Sequence, residues 1–69
     1  MKHATLSITR TSTECAAYRL QDASGRVVWR NRVYDVPEGH RGARERLAVW
    51  ALRYGYKVIE RKEVVQRAG

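Results

Sequence analysis

Apolar and polar residues alternate along the opening stretch of the chain. Ala4, Leu6 and Ile8 are separated by Thr5, Ser7 and Thr9, the period of two that marks a half-buried strand. Arg10 to Glu14 is a polar turn. Cys15 to Gln21 and Arg26 to Val36 are two further β-prone runs around Asp22-Ala23-Ser24-Gly25. That loop suits a hairpin: Asp22 can accept bonds from backbone N–H groups ahead of it, and Gly25 can take a positive φ at no steric cost. If Gln21 pairs with Arg26, Leu20 faces Val27 and Tyr18 faces Trp29 on one side of the ribbon. Arg19, Arg30 and Arg32 then share the other side with Cys15, Ala17, Val28, Tyr34 and Val36. Asn31 and Asp35 have inward parity. A dry, unpaired amide costs about 1–3 kcal/mol. The core is therefore expected to end before Asn31 and leave it wet, in preference to a bulge near Arg30–Arg32.

The period then changes. Leu47, Trp50, Ala51 and Tyr54 recur at helical spacing, with Ala43 one turn earlier, which predicts an amphipathic helix. Ala48 and Leu52 widen the stripe; Arg46, Val49 and Arg53 lie opposite. Gly39 and Gly42 are poor helix-interior residues, so the helix is predicted to start near Arg41–Ala43 and to end at about Tyr54. Gly55 stands where a left-handed residue would close it, with Tyr56 packing back. Tyr56 to Glu60 reads as a short fourth strand. Val64-Val65 offers an extension, and Gln66 to Gly69 reads as a frayed end. The order β-β-β-α-β is an α+β fold: a three-stranded antiparallel meander, one helix on its apolar face, and a fourth strand. A right-handed crossover sets strand four beside strand one and parallel to it, in the order 3-2-1-4.

Sixty-nine residues make one domain, 1–69, with a thin core and a stability of about 3–5 kcal/mol. Fourteen Lys and Arg against seven Asp and Glu give a net charge of +7. Such a surface suits polyanions: nucleic acid first, DNA ahead of RNA, then an acidic protein surface. Cys15 is the single cysteine, so an internal disulfide and a cysteine-based metal site are excluded and a reducing cytoplasm is the default. No apolar run approaches the ~20 residues that cross a bilayer, and the alternating N-terminus does not read as a signal peptide.

The sharpest candidate site is the arginine side of the hairpin. Arg19, Arg30 and Arg32, with Thr5, Ser7, Thr9 and Tyr34 beside them, offer guanidinium forks and hydroxyls to phosphate oxygens. An ordinary solvated sheet face is the competing reading. Arg41 and Arg44 form a second basic zone where the helix N-terminus attracts anions. Tyr18, Trp29, Trp50 and Tyr54 are core by parity, which leaves Tyr34 as the stacking candidate. Asp35, His40 and Glu45 imitate an acid–base set, but nothing in their spacing enforces hydrogen-bond reach. No catalytic residue, metal or cofactor is expected, and the chain is not read as an enzyme. Two other readings stay open. One is a phage-type inhibitor or accessory protein that binds a host defence or transcription enzyme. The other is a homodimer paired through an exposed edge strand.

The element order, with a helix ending ERLAVWALRYGYKVI, resembles the first half of the ribonuclease-H-like fold. That resemblance implies carboxylates on strand one, in the helix and at the end of strand four. Here strand one, ATLSITRT, carries none; Glu45 lies near the helix position and Glu60 near the third. Two-metal hydrolysis needs clustered carboxylates, so the resemblance implies a non-catalytic relative. YRLQDASGRVVWRNRVYDV followed by a helix is also similar in outline to the arm-binding domains of phage-type integrases and to AP2-type domains. Those lay a three-stranded sheet into a DNA groove.

Overall fold

A computed structural model describes residues 2–61. Its elements are β1 (Lys2–Arg10), β2 (Cys15–Asp22), β3 (Val27–Tyr34), α1 (Pro37–Tyr54) and β4 (Tyr56–Glu60). The strands form one sheet in the order β3-β2-β1-β4. β1 pairs antiparallel with β2, β2 antiparallel with β3, and β1 parallel with β4. This is the meander and the 3-2-1-4 order with parallel β1 and β4 expected from the sequence. The possible extension at Val64-Val65 and the end from Gln66 lie outside the described residues.

One face of the sheet is closed by α1. Ala4, Leu6, Ala16, Tyr18 and Leu20 from the strands and Ala43, Leu47 and Ala51 from the helix are buried. Ile8, Val28, Trp29, Val33, Trp50, Tyr56 and Val58 pack partly buried around the cluster. Neither layer could shield its apolar residues alone.

The hairpin register departs from the expected one. Asp22 N–H donates to the Arg26 carbonyl and Gly25 N–H to the Asp22 carbonyl, both at 2.9 Å. Gly25 takes φ 92°. Asp22 Oδ1 accepts from the N–H groups of Ser24 and Arg26 and from the Ser24 hydroxyl. The turn thus pairs Gln21 with Val27, while Leu20 pairs with Trp29 across an irregularity. Val28 is the extra residue, and a bulge turns neighbouring side chains to one side. Val28 therefore reaches the core, whereas Val27 is exposed. Beyond the bulge Tyr18 faces Asn31 and Arg19 faces Arg30. The displacement is even, so every later side chain keeps its expected face. The core also reaches further than expected: Asn31 is half-buried, and its Nδ2 is enclosed with no hydrogen-bond partner among the described residues.

The helix begins earlier than its glycines suggest. Pro37 occupies its first turn, where a missing N–H costs nothing and φ is already set. The His40 N–H donates to the Val36 carbonyl. Gly39 is there for space: a Cβ on it would overlap the Tyr34 carbonyl oxygen. At Gly42 a Cβ would meet only the Arg46 guanidinium, at 3.2 Å. Gly39→Ala should therefore lower stability by about 1–3 kcal/mol through overpacking. Gly42→Ala should be neutral or gain up to about 1 kcal/mol from helix propensity. Urea melts of the two variants check this contrast.

The helix stripe is narrower than expected. Ala48 and Leu52 point to solvent and Tyr54 is half exposed, its ring 5.0 Å from Trp50. Gly55 closes the helix at φ 76°, its N–H donating to the Ala51 carbonyl. The chain then turns so that Tyr56 stacks on Trp50 at 5.2 Å.

Candidate nucleic-acid interface

The face of the sheet away from α1 is open, and parity decides what it displays. Outward positions are His3, Thr5, Ser7 and Thr9 on β1, Cys15, Ala17, Arg19 and Gln21 on β2, Val27, Arg30, Arg32 and Tyr34 on β3, and Lys57 and Ile59 on β4. The two acids within the strands, Asp22 and Glu60, have the opposite parity. No carboxylate therefore stands among the outward strand positions.

Register brings the arginines together. Arg19 lies directly opposite Arg30, and Arg32 follows opposite Ala17. Ser7 pairs with Arg19 and Thr9 with Ala17 on the other side of β2. Like charges facing across two strands repel, and all three arginines are exposed. Thr9, Thr11, Ala17, Arg19, Arg30 and Arg32 line a shallow trough on this face. Tyr34 stands at its corner opposite Cys15, 68 % exposed. Thr5 sits one row beyond, opposite Gln21.

The second basic zone is not part of this surface. Arg41 and Arg44 belong to the helix, in the layer behind the sheet. Because α1 starts at Pro37, they stand beyond its first turn, not beside its free N–H groups. Arg44 donates through both terminal nitrogens to the Glu60 carboxylate, at 2.9 and 3.0 Å. That bond holds the Arg44 pKa above its ordinary value.

Arg44 also ends a polar chain that the sequence pattern did not reveal. Arg10 Nε donates to Asp35 Oδ2 at 2.6 Å, and His40 Nε2 lies 2.7 Å from Asp35 Oδ1. His40 Nδ1 meets the Tyr18 hydroxyl. The Tyr18 hydroxyl also feels the Arg44 guanidinium, while burial pushes its pKa up. A neutral His40 ring that accepts from the Tyr18 hydroxyl at Nδ1 and donates from Nε2 to Asp35 would satisfy both contacts. Glu45, weighed with Asp35 and His40 as an acid–base set, is exposed and lines a groove beside Trp29 and Trp50 instead. The available signal was Tyr18 itself: a buried tyrosine needs a partner for its hydroxyl.

No family model, curated protein or solved structure matches this chain. The chain is a β-β-β-α-β unit with a mixed sheet, and no match ties it to the ribonuclease-H-like fold. No helix among the described residues is long and apolar enough to cross a membrane.

Asp35 also sets an acid limit. The hydrogen bond from His40, then that from Arg10, hold its carboxyl below the usual range. The Ser24 hydroxyl and the Arg26 N–H do the same for Asp22. A carboxylate whose folded pKa is depressed stabilises the fold above its unfolded value, near 3.9. That contribution is lost as pH falls through the folded value. Melting temperature should thus hold from pH 7 to about 5 and drop below about pH 4. Asp35→Asn should start lower and flatten the drop; an unchanged acid limb would detach Asp35 from it.

Proposed function

We propose that this protein is a small, non-catalytic module that docks nucleic acid, DNA ahead of RNA, on its open sheet face. One observation carries the reading. Arg10 and Arg44 each meet a carboxylate on the helix side, whereas Arg19, Arg30 and Arg32 share a face with no carboxylate among its described strand positions. Unmatched guanidiniums beside Thr5, Ser7, Thr9 and Tyr34 suit phosphate oxygens, and a bound phosphate would relieve the Arg19–Arg30 repulsion. Arg41, exposed on the helix, is outside this footprint, and Arg44 is occupied by Glu60.

The non-catalytic part of the reading rests on residues. Both ring nitrogens of His40 are engaged, by Asp35 and by Tyr18, so neither is free for a substrate. β1 has no acid where the ribonuclease-H-like pattern needs one, which supports kinship with that fold only as a binding derivative. Cys15 is a free thiol, which suits the cytoplasm.

Fluorescence anisotropy with a labelled DNA duplex tests the proposal. Three arginine–phosphate contacts give log K against log salt a slope of at least about −2.7. Absence of binding at low salt, with tight association to one acidic protein, would favour the inhibitor reading. Sedimentation reports whether the β3 or β4 edge pairs two copies.

A further inference from the structure

The open face is banded across its width. β2 and β3 carry Arg19, Arg30 and Arg32. β1 carries the hydroxyls of Thr5, Ser7 and Thr9. β4 carries Lys57, exposed and opposite His3. The Arg61 N–H donates to the Leu6 carbonyl, so the ladder runs one residue past β4 and parity puts Arg61 on the same side. Arg30, Arg19 and Ser7 then line up in one row, which Arg61 completes. Three interstrand steps of about 4.8 Å separate β3 from β4, about 14 Å in all.

We infer that the face straddles the major groove of duplex DNA, which is about 12 Å wide between its phosphate rims. Arg19, Arg30 and Arg32 hold one rim, Lys57 and Arg61 the other, and the β1 hydroxyls face the groove between. The inference rests on the nucleic-acid reading above and narrows it to a double strand. A single strand presents one row of phosphates, and proteins that hold one add several stacking aromatics. Among the described residues, Tyr34 is the sole outward Phe, Trp or Tyr on the strands. Double-stranded RNA presents a deep, narrow major groove instead. Serine and threonine hydroxyls accept either base pair, so sequence preference is weak.

The test uses the full chain, a 16-bp DNA duplex and one of its strands, read by anisotropy across a salt series. Five contacts give a duplex slope of about −4.5, against about −2.1 for three contacts on the single strand. Lys57→Ala with Arg61→Ala should cut the duplex slope by about two and leave single-strand affinity within about twofold. Both residues are exposed, and circular dichroism verifies that the variant folds. Equal slopes on duplex and strand would overturn the two-rim grip, as would a folded double variant with unchanged duplex binding. In either case loss of binding in an Arg19, Arg30, Arg32 variant would keep the parent reading. No binding to either probe would overturn both.

Discussion

Replacing Arg19, Arg30 and Arg32 together by alanine should abolish most of the salt-sensitive affinity for a DNA duplex and leave the fold intact. The three contacts account for about 2.7 in the slope of log K against log salt, a share of about 40-fold between 50 and 200 mM. The variant should lose that share and bind weakly even at low salt. Its melting temperature should be unchanged or slightly raised. None of the three side chains is buried, and removing Arg19 and Arg30 ends a like-charge opposition. That pairing of outcomes separates a binding surface from a solvated one. A folded triple variant that keeps its salt slope would leave only diffuse positive charge.

Leu20→Ala should have the largest effect on the fold. Leu20 is 0 % exposed, between Leu6 and Trp29 in the sheet register. Truncating such a residue costs about 2–5 kcal/mol, as much as a chain of this size has to lose. Circular dichroism in buffer should show a partly or wholly unfolded population at 25 °C. Leu52→Ala is the control. Leu52 sits on the predicted helix stripe yet is 85 % exposed, so its truncation should change stability by less than about 0.5 kcal/mol. Equal losses would mean that the helix packs with a different rotation.

The contrast between these leucines shows what the pattern could and could not reveal. Strand alternation is a binary code, and it placed Leu6, Tyr18 and Leu20 inside and the hairpin arginines outside. That assignment survived a wrong register because the displacement was even. The bulge at Val28 was hidden, since Val27 and Val28 are chemically equal and only geometry distinguishes them. Helical spacing is looser: a stripe of seven positions says nothing of how far a four-stranded sheet extends beneath it, so Leu52 and Ala48 were overcounted. Gly39 misled as a helix breaker because its role is contact with Tyr34, which exists only once the layers meet. The Arg10–Asp35–His40–Tyr18 chain joins residues from four separate segments, and no spacing rule reaches across them. Lys57 and Arg61 were legible by the same alternation as the other outward residues; a short strand followed by mixed charge obscured them.

The parallel pairing of β1 with β4 also has a consequence for synthesis. The three strands of the meander are neighbours in sequence and can associate as soon as they emerge. The partner on the other flank of β1 arrives only after the helix, with Lys2 pairing to Tyr56 and Leu6 to Glu60. Closing so long a loop is slow compared with hairpin formation. Until β4 has been made and has cleared the ribosome, the first strand therefore keeps an open hydrogen-bonding edge, and the nascent chain is most prone to aggregate in that interval.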